Sequence, residues 1–147
     1  MAKRINTTTE LMPAASRPPV MLSPADEERL FSLAAAVSSR NPAVSELLLR
    51  EIERAQVVPA ETIPPDVVTM HAHVEYRDEA TGETRTVQLV YPHEADIAKQ
   101  RVSVLTLIGA ALLGLAAGQA ILCPTQDGRE RRLTVLRVWR EKLDGGP

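Results

Sequence analysis

Between Val102 and Gln126 the chain carries no charged residue, in the run VSVLTLIGAALLGLAAGQAILCPTQ. A membrane-spanning helix needs roughly 20 apolar residues, so length alone admits a span. Gly114 and Gly118 even form a small-xxx-small pair of the kind that packs helices in bilayers. The punctuation of the run argues otherwise. Gly109, Gly114 and Gly118 interrupt it, Ser103, Thr106 and Gln119 break its apolar character, and Pro124 precedes a turn signal at Gln126-Asp127-Gly128. It divides into a strand over Val102–Leu105 with a β-branched bias, a short helix over Ile108–Leu113 ending at a capping glycine, and a strand over Gln119–Cys123.

What surrounds the run must supply a soluble core. Apolar residues make up 44% of the 147-residue chain but aromatics only 3%, so Val, Leu, Ile and Ala have to build that core. A net charge of −2 removes the global positive excess that strong nonspecific nucleic-acid binding needs. A single cysteine, Cys123, precludes an internal disulfide. Lys3 and Arg4 lead into Thr- and Pro-rich sequence with no apolar signal segment, so the expected compartment is the cytoplasm.

Along the chain, residues 1–22 read as a flexible lead-in. A helical hairpin is expected over 23–57. Ser23 and Asn41 suit N-caps, Pro24 and Pro42 suit the first helical position, and Asp26, Glu27 and Glu28 favour the positive end of the first dipole. Leu30, Phe31, Leu33, Ala34 and Val37 form one apolar stripe and Val44, Leu47, Leu48, Ile52 and Ala55 a second, joined by a turn at Ser38, Ser39, Arg40 and Asn41. Arms of about fourteen residues reach only about 20 Å. Pro59, Pro64 and Pro65 mark a linker over 58–66, after which the period changes to two. Val68, Met70, Ala72, Val74 and Tyr76 alternate with polar residues, as a half-buried strand requires. Val87, Leu89 and Tyr91 return after a Thr81-Gly82 turn, and a last strand spans Arg131–Arg140, with a bulge expected near Val135 where the apolar phase switches. The fold class is therefore α+β, with a mostly antiparallel sheet and one short helix over 67–141 and a flexible tail over 142–147.

Three segments now fall into a recognisable order: Asp66-Val67-Val68-Thr69-Met70, Val90-Tyr91-Pro92-His93-Glu94-Ala95-Asp96, and Ser103-Val104 leading to Ile108-Gly109-Ala110-Ala111-Leu112-Leu113-Gly114-Leu115. Together with Arg54-Ala55-Gln56, they resemble the regulator of nucleoside diphosphate kinase (Rnk) family, a relative of the Gre transcript-cleavage factors of bacterial RNA polymerase. The resemblance implies a short, coiled-coil-like helical hairpin followed by a C-terminal domain of FKBP-like fold. It also implies that this domain docks on core RNA polymerase near its secondary channel, through Leu105, Thr106, Leu107, Ile108 and Gly109. Two residues depart from the Gre-like pattern: Leu107 stands where a proline is usual, and Gln119 where an acid is usual.

By resemblance, Gre factors place acids at the tip of a long hairpin to help hold a catalytic Mg²⁺, which demands hard oxygen ligands. Here the tip Ser38-Ser39-Arg40-Asn41 has no acid and one base, and the arms are short. The expectation is a non-enzymatic regulator that occupies the docking site without stimulating cleavage and competes with longer-armed factors. Two alternatives stay open: direct control of nucleoside diphosphate kinase, for which no phosphate-cradling loop is visible, and an active cleavage factor. No cofactor, metal or small-molecule substrate is expected, and no membrane partner; nucleic-acid contact would be indirect. His71, His73 and Glu75 share one strand face but read as solvated surface rather than a metal site. His93-Glu94-Ala95-Asp96 lacks the second histidine of a zinc-protease helix and reads as a turn. Cys123 reads as a buried structural thiol. Arg129, Arg131, Arg132, Arg137 and Arg140 read first as a solvated edge strand, with contact to an acidic polymerase surface or to nucleic acid as the alternative. A prolyl isomerase pocket needs aromatic walls that one Phe, one Trp and two Tyr do not supply.

Overall fold

Two capped helices begin the architecture. In the computed structural model, which describes residues 20–125 and 127–140, α1 spans Pro24–Ala36 and α2 spans Pro42–Glu53. Ser23 Oγ accepts from Asp26 N at 3.2 Å, and Asn41 Oδ1 accepts from Val44 N at 3.4 Å, so both helices start where side chains replace missing backbone partners. The two helices are tied by a buried cross-link in which Ser45 Oγ donates to the Ala34 carbonyl at 2.8 Å. Short strands β1 (Met21–Leu22) and β2 (Gln56–Val57) pair in parallel at the base of this hairpin.

A five-stranded sheet follows, in the order β5-β4-β3-β7-β6. Its strands are β3 (His73–Asp78), β4 (Glu83–Val90), β5 (Arg101–Ser103), β6 (Ala120–Pro124) and β7 (Glu130–Trp139). All neighbours are antiparallel except β4 and β5. The short helix α3, Leu107–Leu112, lies between β5 and β6. The uncharged run thus forms β5, α3 and β6, and no helix among the described residues is long and apolar enough to cross a membrane. Its lack of charge reflects burial: Val104, Ala110, Ala111, Leu112, Leu113 and Ile121 are all core residues.

Hairpin and sheet share one core. Leu30, Ala34, Leu47, Leu48 and Ile52 from the helices cluster with Val68, Val74, Leu89, Leu112 and Val135 from the rest of the chain. A clamp reinforces the junction. The Tyr91 hydroxyl donates to Asp26 Oδ1 at 2.6 Å, and the Arg29 guanidinium lies 5.0 Å from the centre of the Tyr91 ring. Burial and the hydrogen bond with Asp26 push the Tyr91 phenol well above its ordinary pKa.

Several expectations need revision. Val20 and Leu22, counted in the flexible lead-in, are each 1% exposed. Val20 fits under Gly114, where φ is +85° and a Cβ would lie 2.6 Å from a Val20 methyl. Residues 1–19 and 141–147 lie outside the described residues, as does Gln126 of the turn signal. Within the expected linker, Ala60–Thr62 is a 3₁₀ turn, Ile63 is buried, and Arg140 Nη2 donates to the Pro64 carbonyl at 3.2 Å. The first strand starts five residues later than the alternation from Val68 suggests. Val68 N bonds Leu115 O and Gly114 N bonds Val68 O, so this stretch pairs with the segment after α3 instead of entering the β3 ladder. Val67 to Met70 are all buried, and burial alternates only from His71 onward, so the apolar spacing does not report the ladder. The bulge falls at Leu136: Glu75 pairs with Arg137 and the next residue, Tyr76, with Val135.

β7 is not an edge. It lies between β3 and β6, and its arginines are engaged by neighbours rather than guarding a free margin. Arg131 Nη1 donates to Asp78 Oδ2 at 2.6 Å, Arg137 lies 3.6 Å from Glu75, and Arg140 Nε donates to Thr69 Oγ1 at 3.1 Å.

Candidate functional site

The loop from Leu105 to Gly109 is built by short-range polar chemistry. Ser103 Oγ accepts from Leu105 N at 2.9 Å, which turns the chain out of β5. Thr106 Oγ1 donates to the Ser103 carbonyl at 2.7 Å and accepts from Gly109 N at 3.0 Å, capping α3. Gly109 faces that same carbonyl so closely that a Cβ would run into the Ser103 oxygen. Only glycine lets the helix begin so near the strand. The result is a rigid corner, not a mobile loop tip.

Exposure within the corner is uneven. Thr106 and Ile108 face solvent, Ile108 with 37% of its surface exposed, while Leu105 and Leu107 are half-buried against the core. Leu107, grouped by resemblance with the docking residues, therefore serves mainly as packing, and Ile108 is the apolar side chain on offer. Leu107 occupies the first position of α3, after Thr106 at φ −100° and ψ 161°. A first-turn N–H has no intrahelical partner, so the proline of the related pattern and the leucine here satisfy the same backbone requirement. Gln119 is explained similarly. Its Oε1 accepts from Ala116 N at 2.8 Å, a role that a carboxylate fills equally well.

Ser38, Ser39, Arg40 and Asn41 are all exposed at the hairpin turn, and residues 37–43 include no acid. The helices behind them hold 13 and 12 residues, so their arms rise about 20 Å and 18 Å. The structure does not bring this tip together with the Leu105–Gly109 corner into one pocket; they are separate features.

Of the three residues grouped on one strand face, His73 and Glu75 stay together on β3 and His71 does not. His71 lies in a turn with φ +72°, its Nε2 2.8 Å from Glu94 Oε1. His73 stacks on Trp139 with ring centres 5.5 Å apart, and Glu75 faces Arg137. Glu94 also accepts from Tyr91 N, and the His71 hydrogen bond holds its carboxyl below the ordinary carboxylate range. His71, Glu94, Gln88, Asp96 and Arg101 line a cleft of about 340 Å³ beside β5. Neither this cleft nor the Tyr91–Asp26 clamp was visible in the sequence, because their members lie far apart along the chain. Cys123 is buried against α3, its Sγ 3.6 Å from the Leu107 carbonyl, and burial pushes its thiol up to about 11. A thiol so protonated is a poor nucleophile at neutral pH.

With this geometry in view, comparison with known proteins is direct. The family model described as "Transcription elongation factor, GreA/GreB, C-term" matches residues 63–140, and that described as "Rnk N-terminus" matches residues 18–58. The "Regulator of nucleoside diphosphate kinase" of Escherichia coli (strain K12) is 35% identical over 123 residues, covering 84% of this chain and 90% of the relative. The "Transcription elongation factor GreA" of Acidiphilium cryptum (strain JF-5) is 36% identical over 87 residues, 59% of this chain but only 55% of that protein. Among solved structures, "Prokaryotic transcription elongation factor GreA/GreB from Nitrosomonas europaea" superposes with a TM-score of 0.68 at 38% identity, covering 84% of this chain and 99% of that one. The helical hairpin with an Rnk-type N-terminus and the GreA/GreB-type sheet carrying the Ile108-Gly109 corner thus occur in one continuous match: this chain belongs to the regulator of nucleoside diphosphate kinase family, and through its C-terminal half to the GreA/GreB factors.

Proposed function

We propose that this protein is a non-enzymatic transcription regulator that docks on core RNA polymerase near the secondary channel. The C-terminal domain, of the FKBP-like type, makes the contact through Leu105–Gly109, with Ile108 as the apolar anchor. The hairpin lies in or beside the channel without stimulating transcript cleavage. The observation that carries the reading is the corner itself: Thr106 and Gly109 rigidly present an exposed isoleucine, in a domain of GreA/GreB type. A preorganised apolar residue on a fixed support is what a protein-docking anchor requires. The acid-free tip and arms of about 20 Å support the absence of cleavage, since metal-assisted hydrolysis needs carboxylates delivered to the metal.

The test is competition. Core polymerase should retain the protein in a pull-down, a Gre factor should displace it, and RNA in backtracked complexes should stay uncleaved. Failure to bind core polymerase overturns the reading, and cleavage that depends on Arg40 or Asn41 overturns its non-catalytic part. A second reading is favoured by the description of the Escherichia coli relative: direct action on nucleoside diphosphate kinase. Purified protein that changes kinase turnover with no polymerase present would support it.

A further inference from the structure

At the other end of β5 from the docking corner stands an apolar residue that the fold does not use. Ile97 is 94% exposed, the highest value among the large exposed hydrophobic side chains of the described residues. It is held firmly nonetheless. Asp96 and Arg101 exchange two backbone hydrogen bonds, at 3.1 and 2.9 Å. Asp96 Oδ1 accepts from Ala98 N, Gln100 N bonds Ile97 O, and Gln100 closes the turn at φ +58°. An isoleucine fully in water on a hydrogen-bonded turn contributes nothing to the core, and its rigidity removes the ordering cost of engaging a partner.

The turn itself carries two cations, Lys99 and Arg101, and one carboxylate, Asp96. Asp96 accepts from Ala98 N and lines the cleft with Glu94 and Arg101, and neither Lys99 nor Arg101 forms an ion pair among the described residues. The backbone of this edge is already consumed. Asp96 takes both the N–H and the carbonyl of Arg101, and Thr106 takes the Ser103 carbonyl. A partner therefore meets side chains here instead of adding a strand. β5 has only three residues, about 10 Å, so Ile97 and Ile108 bracket a single short sheet edge.

We infer that the 96–101 turn is a second docking element, in which Ile97 enters an apolar socket with an acidic rim that faces Lys99 and Arg101. This rests on the polymerase-docking reading, and the partner is the polymerase surface adjoining the one that receives Ile108. Affinity of the full chain for core polymerase tests it, measured across salt concentrations for Ile97→Asp, Ile97→Ala, the double variant Lys99→Glu/Arg101→Glu, and Ile108→Asp. Each variant is checked by thermal melting, which solvent-exposed changes should leave unmoved. Expected are a tenfold or greater weakening for Ile97→Asp, a smaller loss for Ile97→Ala, and for the double variant both a tenfold weakening and a flattened salt dependence. Wild-type affinity in either Ile97→Asp or the double variant, with Ile108→Asp impaired, overturns the second element and leaves the docking reading standing. No binding by the unaltered chain overturns both.

Discussion

Gly109 and Leu107 bound the same helical turn and answer to opposite constraints, one of space and one of hydrogen bonding. At Gly109 any side chain collides with the Ser103 carbonyl, which is backbone and cannot swing away. Gly109→Ala should cost about 2 kcal/mol or more in urea unfolding, in the range of overpacked sites, and should weaken polymerase binding by moving Ile108. Leu107→Pro should be tolerated. Position 107 opens α3, and Thr106 already has the extended backbone that a following proline demands. An entropic gain of about 0.4–1 kcal/mol is set against the lost packing of a half-buried leucine, so net stability should stay within about 1 kcal/mol of the unaltered chain. Cys123 carries a pH signature. Its folded pKa of about 11 lies above the ordinary value of 9.0. The neutral thiol is favoured in the fold, so its contribution is fully present below pH 9 and is lost as pH rises through about 11. Native protein should resist thiol reagents at pH 8 and react promptly in denaturant. The stability gap between the chain and Cys123→Ala should narrow across that alkaline window.

At the scale of elements, local chemistry announced itself wherever a residue satisfies its own neighbourhood. Ser23-Pro24 and Asn41-Pro42 start both helices because capping and proline geometry are decided within four residues. The phase switch after Val135 revealed the bulge for the same reason. Legibility failed where a segment's partner is distant. The apolar spacing from Val68 reads as one strand, yet Val67 and Val68 are taken by residues 114–116, because spacing does not report hydrogen-bond partners. The basic strand β7 looked like an edge because arginines often guard edges, but Asp78, Glu75 and Thr69 reach it from elsewhere in the sequence. The Tyr91–Asp26 clamp spans 65 positions and left no sequence trace. It also makes a prediction about the element it holds. Tyr91→Phe keeps the ring under Arg29 but removes the bond to the Asp26 carboxylate, a loss of about 1.5–3 kcal/mol for a charged acceptor. Amide exchange should accelerate in α1 more than in β3 or β7; uniform acceleration would mean that the clamp has no local role.

For the whole molecule, the shared core sets what the hairpin can do. An arm that reaches into a channel must project free of its domain, but here Leu30, Ala34, Leu47, Leu48 and Ile52 are buried in the same cluster as the sheet. Part of each 13- and 12-residue helix is thus committed to the body, and the free reach is shorter than the helices themselves. The Leu105–Gly109 corner was legible as a motif, whereas the inward turn of Leu107 and the exposure of Ile97 depend on packing that no local pattern encodes. The proposed absence of cleavage rests on two features of this hairpin, the acid-free tip and the short arms, and they can be tested apart. Ser39→Asp combined with Arg40→Glu supplies carboxylates at the exposed turn while leaving the Asn41 cap in place. If length is the decisive constraint, this variant should bind core polymerase as before and still leave RNA in backtracked complexes uncut. If it cuts, the shared core does not limit reach, and chemistry at the tip alone separates this protein from the cleavage factors.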